Sequence, residues 1–353
     1  MNINVSAPIN STGYGIASYN IIKGLSALNN VISYFPIGQP SVETQEDHAF
    51  VSNILKQRYL CDINAPHLKI WHQFDLLEHV GRGPYFAFPF FELDTFSDIE
   101  INSLKTPDGI FTTSQWAADV VSKHVSTPVH VAPLGVDLSI FDKSRYSQPS
   151  DNKYVFINIG KWEVRKGHDI LLELFTKAFP NNPDVELWIL ASETTNGYSS
   201  PAEIEQWKNM YQNDSRVKLF SGFAQHSEIA ELISKANCGI FPSRAEGWNM
   251  ELLECMAMNK PVITTNYSAH TEFCNKDNSY LVDISTTEKA HDGKAFMGQG
   301  NWAKIDQSEK DILIDYMRYV VNNHINTNPA GVNTANQLSW TNTAQKILSY
   351  MNK

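Results

Sequence analysis

A chain of 353 residues, 42% hydrophobic and 19% charged, is long enough for two open-sheet domains and apolar enough to fill a core in each, which excludes wholesale disorder. Its formal net charge is −10, and residues 1–140 carry 7 Lys+Arg against 13 Asp+Glu, so it lacks the basic footprint of a nucleic-acid binder and the polybasic surface that anionic lipid requires. No apolar run of about 18 residues is present to span a bilayer, so membrane association is expected to be at most peripheral.

In chain order, short apolar runs alternate with segments of helical period. The first series is Ile3–Ser6, Val31–Phe35, Leu68–Trp71, Tyr85–Phe91, Gly109–Thr113 and Val129–Ala132. Lys69 interrupts the third. Between the first two, Ile16, Tyr19, Ile22, Leu25 and Leu28 form a helical stripe. The second series is Tyr154–Ile159, Val185–Leu190, Val217–Phe220, Cys238–Phe241, Val262–Thr265 and Tyr280–Val282. Its connections, about 14 to 26 residues long, have room for crossover helices. Strands alternating with helices predict parallel sheets covered on both faces, and two series predict two doubly wound α/β domains.

The expected divisions are a first domain over 1–141, a polar linker over 142–153, a second domain over 154–338 and a last amphipathic helix over 339–353. The linker expectation rests on Pro149 and the absence of apolar period from Asp142 to Lys153. The helix expectation rests on Ser339 as cap and on Ala344, Ile347, Leu348 and Met351. The start MNINVSAP reads as a buried strand and lacks the basic and apolar regions of a secretory signal. Cys61, Cys238, Cys255 and Cys274 are scattered, with no CxxC. A structural zinc or a disulfide framework is therefore not expected, and a reducing cytoplasm fits.

Two blocks carry chemistry. Gly160-Lys161-Trp162-Glu163-Val164-Arg165-Lys166-Gly167 follows the strand at Tyr154–Ile159 and precedes a helix at 169–179. In open α/β sheets ligands sit at the carboxyl ends of strands. A glycine there admits a ligand close to the backbone, and lysines reaching over the crevice neutralise phosphate. A solvated basic loop has the same composition. Glu246-Gly247-Trp248-Asn249-Met250-Glu251-Leu252-Leu253-Glu254 follows the strand at Cys238–Phe241. Asn249 is a plausible N-cap, so a helix should run from Met250 to about Met258, with its first N–H groups aimed at an anion. Glu246 precedes this helix and Glu254 lies about one turn inside it. Each carboxylate is able to accept two hydroxyl hydrogen bonds, as a vicinal diol offers. Glu251, in the first turn, complements the helix dipole. Asn259 followed by Lys260-Pro261 ends the helix. The next strand leads to Asn266-Tyr267-Ser268-Ala269-His270, where Thr264, Thr265 and Ser268 suit either phosphate or ordinary turn and cap roles.

Together these blocks resemble the family-4-type retaining glycosyltransferases of the GT-B fold, most strongly over residues 154–282. G-K-(x4)-K-G matches that family's G-R/K-(x4)-K-G. Glu246 and Glu254 match the acids of its E-x7-E motif. P-S-R-x-E-G-W, L-E-C-M-A-M-N-K-P-V-I-T-T and Glu272 follow its signature run. The resemblance implies two Rossmann-like domains facing a cleft, the last helix packing back on the first domain, and a retaining hexosyltransferase-type enzyme. It implies that Lys161 and Lys166 neutralise the diphosphate of a nucleotide-sugar donor, that Glu246 contacts the sugar and Glu254 the ribose, and that the N–H groups after Trp248 bind sugar or phosphate. Ser11-Thr12-Gly13-Tyr14-Gly15 looks like the family's glycine-rich loop, with Gly13 and Gly15 near donor and acceptor. The nucleotide sugar is then a substrate, with no separate cofactor and no bound metal. A glycan, small molecule or protein remains open as acceptor.

Two positions depart from the pattern. Many relatives place a His after a middle strand of the first domain, where Phe90-Phe91-Glu92-Leu93-Asp94 stands here. Glu92 or Asp94 would take an acceptor proton or orient sugar hydroxyls, and His72 is the other candidate. The second glycine of the family's E-G-F-G is Asn249 here. A nucleotide-sugar epimerase or phosphorylase on the same fold, or a non-catalytic nucleotide-sugar-binding protein, are the alternatives to transfer.

Overall fold

The computed structural model describes residues 1–146, 153–192, 200–222 and 225–352. Residues 147–152 of the expected linker lie outside them. The chain divides into two compact units, Met1–Gly135 with Gln337–Lys353, and Val136–Asn336.

The first unit contains β1 (Asn2–Ala7), α1 (Gly13–Ala27), β2 (Val31–Pro36), α2 (Gln45–Gln57), β3 (His67–Lys69), β4 (Tyr85–Ala87), α3 (Asp98–Leu104), β5 (Gly109–Thr112), α4 (Gln115–Ser122) and β6 (Val129–Val131). All strands are parallel, in the order β2-β1-β3-β4-β5-β6. Ile3, Val5, Leu68, Ala87 and Ile110 are fully buried in this sheet, as covered parallel strands require. Lys69 does not break β3. Its side chain is buried, and its ammonium meets Asp75 and Glu78 at 3.4 and 3.8 Å. β4 stops at Ala87, earlier than the apolar run to Phe91. Phe88 and Phe91 are still buried, so that run records burial beyond the strand.

The second unit contains β7 (Tyr154–Lys161), α5 (His168–Ala178), β8 (Val185–Ser192), α6 (Pro201–Tyr211), β9 (Val217–Phe220), α7 (His226–Lys235), β10 (Cys238–Phe241), α8 (Met250–Ala257), β11 (Val262–Asn266), α9 (His270–Phe273), β12 (Tyr280–Asp283), β13 (Thr287–His291), β14 (Met297–Ala303), α10 (Gln307–Asn322) and α11 (Pro329–Gln337). Its parallel sheet runs β12-β11-β10-β7-β8-β9. The chain thus winds outward from β7 through β8 and β9, then returns to place β10 on the other side of β7. That reversal opens a crevice beyond the carboxyl ends of β7 and β10, where such sheets bind ligands. The β13–β14 hairpin is antiparallel and has no counterpart in the alternating pattern. Its strands are mostly polar, and Trp302, only 1% exposed, anchors it. The Trp302 indole N–H donates to Glu288 across the hairpin.

The C-terminal helix α12 (Trp340–Met351) completes the first unit by packing on α1. Gly24 permits the approach, because a Cβ there would lie 3.0 Å from the Trp340 carbonyl. Thr343 donates to the Pro133 carbonyl at 2.7 Å. No helix among the described residues is long and apolar enough to cross a membrane.

Candidate functional site

The two motif blocks meet at the reversal in the second sheet. β7 ends at Gly160-Lys161, and the loop to α5 carries Arg165 and Lys166. β10 ends at Phe241, and the loop to α8 carries Ser243, Arg244 and Glu246. Gly160 holds φ +154°, and a Cβ on it would lie 2.5 Å from Lys166 Cδ. The missing side chain is what lets the Lys166 stem lie across the end of β7. Gly167 holds φ +80°, and a Cβ there would lie 2.3 Å from the Pro242 carbonyl, so the two loops touch backbone to backbone.

Glu246 is the centre of the cluster, at 4% exposure. Its Oε1 accepts from Lys166 Nζ at 3.1 Å and from Ser243 Oγ at 2.9 Å. Its Oε2 accepts from the Arg165 guanidinium at 2.7 Å. Burial alone would raise its pKa, but the charges of Lys166 and Arg165 outweigh it and hold the carboxyl far below the usual range. Burial would likewise depress Lys166. Glu246 and Glu251 prevail, and the net direction is up. The pair is therefore fully ionised in a dry setting, where two cations and a hydroxyl repay the desolvation of one carboxylate. Lys166 has three N–H donors, so it is able to hold Glu246 and still offer one to a ligand.

Arg165 and Arg244 brace the loops. Arg165 also donates to the Ala245 carbonyl at 2.7 Å and pairs with Glu163. Arg244 makes a two-pronged pair with Asp169, both contacts at 2.8 Å, tying the β10 loop to the first turn of α5.

Asn249 caps α8. It adopts φ +84°, and its Oδ1 accepts from the Leu252 N–H at 3.2 Å. Its Nδ2 lies 2.9 Å from Nε2 of buried His270, whose Nδ1 lies 3.0 Å from the Thr265 carbonyl. An amide NH2 only donates and a carbonyl only accepts, so His270 is neutral and carries its proton on Nδ1. Burial pushes its pKa down, which agrees with the neutral form. The left-handed backbone here is thus locked by a side-chain chain from Thr265 through His270 to Asn249. An asparagine tolerates that conformation better than most residues. The Leu252 amide is spent on the cap, which leaves the earlier amides of the first turn, of Met250 and Glu251, at the helix end.

Glu254 stands apart. It is buried on α8 at 8% exposure, and no hydrogen bond or ion pair joins its carboxyl to the described residues. Burial pushes its pKa up to about 8, against a lowering by His226 and with a further rise from Glu251. Trp248 is also buried, against Phe273 at 4.6 Å between ring centres, and its Nε1 has no acceptor among the described residues.

The sequence candidates therefore divide into groups. Lys166, Glu246, Gly247, Trp248 and Asn249 share the two loops at the reversal, with Gly160 at the end of β7 and Met250 at the start of α8. Lys161 lies half-buried at the last position of β7, and Glu254 lies one turn inside α8. Gly13, Gly15, Glu92, Asp94 and His72 belong to the first unit. Gly13 opens α1, and Gly15 has a packing reason, since a Cβ would lie 2.3 Å from the Asn10 carbonyl. Glu92 and Asp94 are half-buried on the loop after β4, while His72 follows β3 and packs tilted against Tyr14, 4.5 Å between ring centres. Sequence reading passed over Arg165, Ser243 and His270 as partners. Arg165 was within the basic loop and so detectable. The other two are ordinary residues whose relevance is set by contact alone.

Residues 153–292 match the family model described as Glycosyl transferases group 1. No curated protein sequence matches the chain. Among solved structures, sucrose-phosphate synthase from Thermosynechococcus elongatus aligns with TM-score 0.73 and 15% identity, over 100% of this chain and 98% of that one. HepE of Anabaena, solved in complex with UDP and glucose, aligns with TM-score 0.70 and 14% identity, over 100% and 99%. A UDP-forming α,α-trehalose-phosphate synthase from Burkholderia xenovorans aligns with TM-score 0.69 and 10% identity, over 100% and 98%. With its two six-stranded parallel sheets, the chain has the GT-B fold of these structures, and the part that matches the Glycosyl transferases group 1 model lies within its second unit.

Proposed function

We propose that this protein is a retaining glycosyltransferase that takes a hexosyl group from a UDP-sugar bound to the second unit and delivers it to an acceptor hydroxyl. The observation that carries the reading is the Lys166–Glu246 pair, lying across Gly160 beside the N-terminus of α8. It sets a cation, a carboxylate and unspent helix amides at the sheet reversal. A diphosphate needs the first and last of these, and a sugar hydroxyl needs the second. The presence of UDP with glucose in HepE supports UDP as the nucleotide part of the donor.

In this mechanism Lys166, Lys161 and the α8 amides stabilise the negative charge that grows on the leaving diphosphate. Glu246 holds donor hydroxyls, and Glu254 accepts from the ribose diol. Retention and the acceptor-side role of Glu92, Asp94 or His72 follow from the family resemblance and belong to the same proposal. The nucleotide sugar enters as substrate, and positive charge for the phosphates comes from the protein itself.

The test is transfer from a panel of UDP-sugars, with the anomeric configuration of the product read by NMR. Lys166→Ala is expected to lower kcat/KM for the donor roughly 100-fold or more. An unchanged kcat/KM would refute the phosphate assignment. Epimerised donor in the absence of acceptor would refute transfer.

A further inference from the structure

Two cations hold the buried Glu246 carboxylate, one on each oxygen, and they are not equivalent. Lys166 approaches Oε1, beside the Ser243 hydroxyl, and its ammonium lies 3.9 Å from Glu251. Among the described residues, its hydrogen bond to Glu246 engages one of three N–H donors. Arg165 approaches Oε2 at 2.7 Å, and the same Nη1 donates to the Ala245 carbonyl at 2.7 Å. Its Nε donates to Glu163 at 3.0 Å, and its Nη2 lies 2.7 Å from that same carboxylate oxygen. A guanidinium offers five N–H donors in a fixed plane. Here Nε, both hydrogens of Nη1 and one of Nη2 are committed to the protein, so Arg165 is bolted across the two loops.

A phosphate therefore finds donors on Lys166 rather than on Arg165. Drawing on Lys166 has a consequence for Glu246. The ligand brings negative charge beside a buried carboxylate and takes a share of one of the two cations that balance it. The other groups around Glu246 do not make up the difference. Glu163, on the loop of Arg165, and Glu251, in the first turn of α8, add negative charge. His270 on α9 is buried and neutral, and Ser243 on the loop of Glu246 itself offers a hydrogen bond without charge. Among the described residues, Arg165 is the cation on Glu246 whose place does not depend on the ligand.

We propose that Arg165 is a positioning residue: it holds the Glu246 carboxylate in place and in charge balance when a diphosphate draws on Lys166, and it does so without touching the ligand. The proposal deepens the transferase reading above and rests on it for the diphosphate. Its sign follows from linkage. Without Arg165, a bound diphosphate makes Glu246 a stronger base than it is in the free protein. Binding then takes up a proton, and affinity improves as the pH falls. With Arg165 in place, Glu246 stays ionised in both states and no such uptake occurs.

Calorimetry on the full chain tests it, with UDP and, separately, inorganic pyrophosphate as ligands at pH 5 and pH 8. Wild type and Arg165→Gln are compared at each pH, so that protonation of the ligand and of Glu254, common to both proteins, cancels. Arg165→Gln is expected to weaken binding roughly 10-fold at pH 8 and no more than about 3-fold at pH 5. It should also take up more protons on binding than the wild type, read in buffers of different ionisation enthalpy. Arg165→Lys keeps the charge and should recover most of the loss. On a Glu246→Gln background, Arg165→Gln should change affinity by less than about 3-fold at either pH, because no carboxylate is left for it to hold. That double variant buries no unpaired carboxylate at position 246, so the comparison remains available even if Arg165→Gln alone does not fold. A loss that is the same at both pH values, equal proton uptake by Arg165→Gln and the wild type, or a loss of about 10-fold on the Glu246→Gln background would overturn the proposal. The last result would show that Arg165 contacts the ligand itself. If pyrophosphate follows the expected pattern and UDP does not bind, the UDP-sugar reading fails and the positioning role stands. If UDP binds without the pattern, the positioning role fails and the donor reading stands. Binding of neither ligand by the wild type would overturn both.

Discussion

Glu254→Gln probes a carboxyl that the fold keeps protonated at neutral pH. Burial lifts its pKa from 4.5 to about 8. Below pH 4.5 the folded and unfolded chains are both protonated here, and the residue costs nothing. As the pH rises past 4.5, the unfolded chain ionises while the folded one holds its proton, so stability falls. Above pH 8 both are ionised and the loss levels off. At about 1.4 kcal/mol per pH unit, the interval sets a ceiling near 5 kcal/mol for the penalty. Glutamine has nearly the same shape and cannot ionise. The variant should therefore match the wild type at pH 4.5 and exceed it by at least ~1 kcal/mol at pH 8.5, read from urea denaturation without nucleotide. Parallel pH profiles for the two proteins would refute the buried, protonated carboxyl. Nucleotide adds a second reading of the same group. A ribose diol donates two hydrogen bonds to the carboxylate form, so UDP binding at pH 7 should release a proton, and calorimetry in buffers of different ionisation enthalpy measures it. Equal proton release by Glu254→Gln would refute the ribose contact.

The other predictions concern the loop geometry. Gly160→Ala puts a Cβ 2.5 Å from Lys166 Cδ at a φ of +154°. It should cost ~1–3 kcal/mol of stability and weaken UDP binding by about 10-fold, and wild-type UDP affinity would show that Lys166 need not lie across the strand end. His270→Phe removes the acceptor for Asn249 and the donor to Thr265. It should cost ~1–3 kcal/mol in urea denaturation, and unchanged stability would refute the hydrogen-bond chain that fixes the Asn249 backbone.

The legible part of this fold was local. Each parallel strand buried on both faces announces itself as an apolar run, so the runs at Tyr154, Cys238 and Val262 begin where β7, β10 and β11 begin. The polar β13–β14 hairpin gave no such signal, apart from the Asp292-Gly293 turn, where Gly293 takes φ +74°. It is held by one tryptophan rather than by a pattern. At the site, the G-K-(x4)-K-G and E-x7-E spacings marked the chemistry-bearing residues, and the cap at Asn249 was readable from residue type. The partnership of Lys166 with Glu246, across 80 residues of sequence, was not.

What the sequence by itself determined is which segments are strands, which loops carry cations, carboxylates and glycines, and where helix α8 begins. Periodicity and capping are properties of neighbouring residues, so they are written along the chain. Tertiary structure alone decided that β10 lies beside β7, and with it that Glu246 meets Lys166 and Arg165. It also decided that His270 locks Asn249 and that Glu254 is buried with no hydrogen-bond or ion-pair partner among the described residues. Strand order is set by packing whole layers, and hydrogen-bond partners and pKa values follow from that order rather than from any local run of residues.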